Sequence, residues 1–197
     1  NSWNQLDIGT ELGRGASGQT YRAKLSRLPE GSEDVAVKIF SAAVSSDGDS
    51  SNEVLAALTV GSHPTVVSTR GRLIHHPEGK DGLVFDLVPK SFTALASPPS
   101  FKSCTRDVYS LDARFSYERA IAYAKDIAAA AQHLHCGGVI HGDLYAHNIL
   151  TSFHSALLSD FGAACVYGGN DTFDSGLLER IEVCAFGVLL RELLTRV

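Results

Sequence analysis

The chain has 197 residues, enough for one domain with a sizeable core or for two small lobes. Its 17 Lys and Arg against 22 Asp and Glu leave a net charge of −5, so no basic surplus drives sequence-independent binding to nucleic acid, and the imbalance is too small to imply disorder. The longest apolar run, Val183 to Leu190, is eight residues bounded by charges, and no secretory signal heads the chain, so no membrane insertion is expected.

A chain that opens on Asn1 and contains no methionine is expected to be a piece of a longer polypeptide. Cys104, Cys136, Cys165 and Cys184 are scattered, with no C-x-x-C pair. That usage predicts buried free thiols in a reducing, cytoplasmic setting rather than a disulfide framework. His133, His135 and Cys136 invite a zinc reading, but residues i and i+2 on a helix do not share a face, which argues against it.

Taken in chain order, the first feature is Leu12 to Tyr21, LGRGASGQTY, where Gly13, Gly15 and Gly18 make G-x-G-x-x-G. A glycine turn between two strands lets backbone N–H groups lie against phosphate oxygens without interference from Cβ. A dinucleotide fold would follow these glycines with a helix, whereas Gln19 to Leu25 looks extended. Val35 to Phe40, VAVKIF, reads as a strand in which Val35, Val37 and Ile39 alternate with Ala36 and Lys38. Ser41 to Asn52 is rich in Ser, Asp and Gly and predicts a mobile loop. Asn52 is placed to cap a helix from Glu53 to Val60, ended by Gly61.

His75 to Gly82 reads as a turn and Leu83 to Val88, LVFDLV, as a strand. Ser91 to Arg114 predicts an irregular loop, with a short helix over Phe92 to Ala96. Ser116 then caps a long helix, Tyr117 to Cys136, with apolar residues at helical spacing and Gly137-Gly138 as its stop. Val139 to Gly162 follows, VIHGDLYAHNILTSFHSALLSDFG. In it His141, Asp143 and Asn148 fit H-x-D-L-x-x-x-N, and Asp160-Phe161-Gly162 begins seventeen residues after Asp143. Val139-Ile140, Ile149-Leu150 and Leu157-Leu158 read as short buried strands framing two loops. Leu177 to Arg196, with FGVLLRELL at its heart, predicts a last helix.

These motifs resemble the protein kinase superfamily, of tyrosine-kinase-like and receptor-like type, over about Leu12 to Arg196. The resemblance implies an α+β, bilobal fold: an antiparallel β-sheet lobe over residues 1–88 and a minimal helical lobe over 89–197, cut short after its central helix. It implies ATP and Mg²⁺ as cofactors. Gly13, Gly15 and Gly18 would lie on the phosphates, Ala36 would floor the adenine pocket, and Lys38 would reach the α- and β-phosphates while pairing with Glu53. Phe85 would be the gatekeeper, and Asp86 and Val88 would offer backbone groups to adenine. Asp143 would accept the proton of an attacking hydroxyl, with Asn148 and Asp160 on Mg²⁺. Glu182 stands where the family has an Asp that caps the catalytic loop.

The chain also departs from the family. Gly142 replaces the arginine of H-R-D, so activity is expected not to depend on phosphorylation of the activation loop. Tyr145 and His147 stand where serine/threonine kinases carry a Lys and tyrosine kinases an Arg. His147 would neutralise phosphoryl charge only when protonated, which predicts activity rising below neutral pH. Nineteen residues separate Gly162 from Glu182, with no A-P-E between them, so the peptide-docking platform is expected to be poor. Ala57 and Thr69 fall where the family stacks larger apolar residues behind the Lys–Glu pair. The reading is a small protein kinase acting on a hydroxyl-bearing protein, with Ser/Thr against Tyr and the oligomeric state left open. The alternatives are an ATP-binding pseudokinase or interaction module, and a small-molecule kinase of aminoglycoside or choline type, which shares H-G-D-x-x-x-x-N.

Overall fold

A computed structural model of the chain describes residues 1–15, 17–27, 31–41, 44–45, 48–104, 106–167 and 175–197. Five strands form one antiparallel sheet: β1 (Leu6–Arg14), β2 (Gly18–Arg27), β3 (Gly31–Phe40), β4 (Thr69–Leu73) and β5 (Gly82–Asp86), in the order β1-β2-β3-β5-β4. The central place of β3 follows from its sequence. Val35 and Val37 point to one face and pack with Leu25, Leu73 and Val84, while Ala36 and Lys38 point to the other and line a cleft. A strand with neighbours on both sides and both faces covered is buried from Val35 to Lys38, which is why its alternation is weak in polarity.

Helix α1 (Ser50–Val60) lies beside this sheet and ends at Gly61, whose φ of +65° is the left-handed turn that a glycine stop supplies. It starts before Glu53, so Asn52 lies within the helix and does not cap it. Its anchor is the buried set Glu53, Val54, Ala56, Ala57 and Val60 rather than the residue that opens it. The expected mobile loop before it lies partly outside the described residues; its described part holds a two-residue pairing of Val44–Ser45 with Gly48–Asp49.

The helical half is built on α2 (Tyr117–Cys136) and α3 (Ser175–Leu194). Ser116 Oγ accepts from Arg119 N at 3.3 Å to cap α2, and Gly137-Gly138 close it as expected. Its buried face, Ala120, Tyr123, Ala124, Ile127, Ala130 and Leu134, backs the short strands Val139–Ile140 and Ala156–Leu158, and Ile149–Thr151 pairs with the latter. On α3, Glu182, Leu189 and Leu193 are buried, whereas Leu177, Ile181, Val183 and Val188 are exposed.

Two expectations are overturned. Phe92 to Ala96 is not a helix: Thr93–Ala94 is a strand paired with Leu150 and Thr151, and Leu95 N donates to Ile149 O at 2.8 Å. The β-branched Thr93 and the edge offered by Ile149–Thr151 outweigh five residues of helical propensity, too few to nucleate a helix unaided. The four cysteines are free, as expected, but all are exposed rather than buried. No helix among the described residues is long and apolar enough to cross a membrane.

Candidate active site

A cleft of about 780 Å³ opens between the sheet and the helical half. Its roof is the glycine turn. A Cβ at Gly13 or Gly15 would meet nothing within 4 Å, so the backbone there faces open space that a ligand could fill. Gly18 is glycine for another reason: a Cβ there would come within 2.3 Å of Ile39 O, because β2 and β3 approach closely at that point. Ala36, Phe85, Asp86 and Val88 line the inner end of the same cleft. Arg70 forms ion pairs with both Asp86 and Glu33.

Three charged groups meet at the cleft's inner wall. Lys38 Nζ lies 2.6 Å from Glu53 Oε1 and 3.1 Å from Asp160 Oδ1. Lys38 is 9% exposed and Glu53 2%, so the pair is drawn out of water. Burial pulls the Lys38 ammonium toward neutrality, but Asp160 and Glu53 outweigh it and hold its pKa above the ordinary lysine value. Asp160 has φ +58°, a left-handed backbone that Asp tolerates, and its Oδ1 accepts from Gly162 N at 3.2 Å. The spacing of Lys38 and Glu53 in the chain therefore does bring them together, although the helix carrying Glu53 starts earlier than expected.

Asp143, His147 and Asn148 do not line this cleft; they form a neighbouring cluster. Asn148 Nδ2 donates to Asp143 O at 2.9 Å and to Asp143 Oδ2 at 2.7 Å. Asn148 O accepts from Ser159 N at 2.9 Å and Ser159 Oγ at 2.8 Å, which ties this cluster to Asp160 next along the chain. His141, fully buried, donates from Nε2 to Ser159 O at 2.9 Å and accepts from Asp143 N at Nδ1, 3.3 Å. Its ring lies 5.5 Å from that of Phe161. Ala57 is fully buried, and the Thr69 hydroxyl is buried with no hydrogen-bond partner among the described residues.

The departures have physical causes. Gly142 has φ +76°, and a Cβ there would lie 2.3 Å from Ala163 O, so no arginine fits this backbone. Its N–H is held by Glu182 Oε1 at 2.9 Å, and Glu182 Oε2 accepts from His135 Nε2 at 2.8 Å. His133 Nε2 donates instead to Val60 O at 2.8 Å, so the two histidines serve different partners, and no metal-binding cluster occurs among the described residues. His147 is pushed up to about 9 by Asp107, 2.6 Å from its Nδ1, and by Asp143, 3.5 Å from its Nε2. It is thus cationic throughout the neutral range, which removes the reason to expect a rate that rises below pH 7. The His147 contact, foremost, and that of Asn148 hold the Asp143 carboxyl below the usual range despite its partial burial.

Asp107 was not anticipated. It sits in the irregular stretch before α2, some 40 residues from the loop it serves, and no periodicity marks it. The only hint is a charged pair, Arg106-Asp107, in a run otherwise poor in acids.

The protein tyrosine and serine/threonine kinase family matches residues 6–183, most of the chain, and the chain belongs to it. A probable serine/threonine-protein kinase of Dictyostelium discoideum is 28% identical over 222 aligned positions, covering 98% of this chain and 38% of that protein. Cyclin-dependent kinase C-2 C of Arabidopsis thaliana is 30% identical over 105 positions, covering 53% of this chain and 14% of that protein. The chain thus corresponds to well under half the length of either relative.

Proposed function

We propose that the chain is an ATP-dependent protein kinase in which residues 1–88 hold the nucleotide and residues 89–197 present the acceptor hydroxyl. The observation that carries this reading is the shared reach of Lys38, to Glu53 at 2.6 Å and Asp160 at 3.1 Å, beside an Asp143 whose carboxylate Asn148 steers. Lys38, fixed by Glu53, binds the α- and β-phosphates. Gly13, Gly15 and Gly18 leave the phosphates room, Ala36 and Phe85 enclose the adenine, and the Asp86 and Val88 backbones hydrogen-bond its edge.

The donor set suits Mg²⁺. Asn148 uses its N–H bonds on Asp143, which frees Oδ1 for a cation, and Asp160 keeps Oδ2 clear of its contacts with Lys38 and Gly162. Both are hard oxygen donors, and Mg²⁺ held there supplies charge neutralisation on the phosphates. Asp143 takes the proton of the acceptor hydroxyl as that oxygen bonds to the γ-phosphorus and the β–γ bridging P–O bond breaks, leaving ADP. His147 adds positive charge beside that carboxylate. Four exposed free thiols support a reducing setting for the chain.

The test is phosphotransfer from labelled ATP by this chain alone, offered generic proteins and then small alcohols. Asp143→Ala should lower transfer by about a hundredfold or more while sparing the thermal shift given by Mg-ATP. Retained transfer removes Asp143 as base. A second reading, a nucleotide-binding interaction module, is favoured by the exposed apolar residues of α3; it predicts a Mg-ATP shift with no turnover in the unmodified chain. Label on alcohols but not on protein would point to the small-molecule class.

A further inference from the structure

The Asp107 side chain has no exposed surface, yet it belongs to a segment with little regular structure. A carboxylate is costly to bury unless its oxygens are satisfied. Here Oδ2 accepts from Ala146 N at 3.0 Å, and Oδ1 accepts from His147 N at 3.0 Å and His147 Nδ1 at 2.6 Å. The segment is held in place for this. Ser97 and Val108 exchange two backbone hydrogen bonds of 2.9 Å immediately after Asp107. Arg106, immediately before it, lays its guanidinium 4.2 Å from the centre of the Tyr145 ring and donates to Leu144 O at 3.4 Å. Two consecutive residues from outside the catalytic loop therefore grip it from Leu144 to His147.

What this grip fixes is the direction of the His147 ring. With Nδ1 bound to Asp107, Nε2 faces Asp143 Oδ2 at 3.5 Å, the same oxygen that receives Asn148 Nδ2 at 2.7 Å. One carboxylate oxygen of Asp143 is thus held from two sides, which leaves the other for an incoming hydroxyl. A simple cap of the short turn Ala146–Asn148 would need only the two backbone N–H contacts; the third contact, to the imidazole, has no capping purpose.

We propose that Asp107 is a positioning residue for phosphoryl transfer, acting through His147 on the orientation of Asp143. The role rests on the kinase reading above and adds a residue to it. In this arrangement the loop carries a histidine aimed at Asp143 by an acid from the preceding segment, at a position with no Lys or Arg of its own.

The experiment uses the whole 197-residue chain with Mg-ATP and a generic acceptor protein, comparing Asp107→Asn, His147→Gln, the double variant and His147→Arg. Asn keeps the size and one acceptor oxygen of Asp107, so the fold should survive. The expected result is a fall in kcat of about tenfold or more for each single variant, with the Kd for Mg-ATP changed less than about threefold. The double variant should lose no more than the worse single one, because the two residues act as a unit. His147→Arg should recover part of what His147→Gln loses. A wild-type kcat in Asp107→Asn, losses that multiply in the double variant, or a loss of kcat matched by equal losses of ATP affinity and melting temperature would each overturn the role. An unmodified chain that binds Mg-ATP and transfers nothing overturns the kinase reading and this role together, so the two failures are told apart.

Discussion

The sheet side and the helical side of this molecule are built to different standards. On the sheet side, β3 is hydrogen-bonded on both edges, and its Lys38 meets a glutamate that is 2% exposed. On the helical side, α3 buries Glu182, Leu189 and Leu193 but leaves Leu177, Ile181 and Val188 in solvent, and the catalytic loop depends on a dipeptide from an irregular segment. Binding a nucleotide needs a rigid, mostly local frame. Presenting an acceptor draws on surfaces that come from distant parts of the chain. Variants that strike one side and spare the other should break this contrast or sharpen it.

The largest effect is expected at Lys38. Replacing it with Met takes the ammonium away from a carboxylate buried to 2% exposure, which should cost about 3–5 kcal/mol of stability and abolish transfer. Urea denaturation and the Mg-ATP thermal shift measure the two consequences. A loss below about 1 kcal/mol would mean that the Lys38–Glu53 pair adds little to holding α1 against the sheet, and the sheet side would lose its claim to the tighter construction.

A paired comparison on α3 tests the other side. Leu189 is fully buried, so Leu189→Ala should cost about 2–5 kcal/mol by removing packed methyl groups. Ile181 is 61% exposed, and Ile181→Ser should change stability by no more than about 0.5 kcal/mol. If both variants cost the same, the open face is covered in solution, and sedimentation at two concentrations would show by what.

Much of the site was readable in advance because its parts are local. The glycine turn, the VAVK strand and the two loops around Asp143 and Asp160 each declare themselves within ten residues, and strand periodicity places Ala36 and Lys38 on one face. What escaped was non-local. Thr93–Ala94 is a strand only because Ile149–Thr151 offers it an edge, and Asp107 matters only because folding brings it beside Ala146 and His147. The exposure of the four cysteines was misjudged for the same reason: burial of a small residue depends on what packs over it. Gly142 shows the reverse case. Its identity looked like a lost arginine, but the carbonyl of Ala163 and a positive φ dictate it.

The smallest expected effect lies at the joint between the two sides. His63, just past the end of α1, stacks on His133 of α2 with ring centres 4.5 Å apart. His133 Nε2 donates to Val60 O, and His63 Nδ1 contacts the Thr65 hydroxyl and N–H. Burial, and then the neighbouring His133, lower the His63 pKa below its ordinary value. A histidine depressed in the folded state stabilises above its unfolded pKa of about 6.5, and that contribution is lost as pH falls through the folded value. Lowering pH from 7.5 to 5.5 should therefore reduce the melting temperature, and His63→Gln should flatten that slope by no more than a few degrees. Parallel slopes for the two proteins would mean that the acid sensitivity resides elsewhere. A flattened slope with unchanged stability at pH 7.5 would locate it where α1, which carries Glu53, meets the helix that backs the catalytic loop.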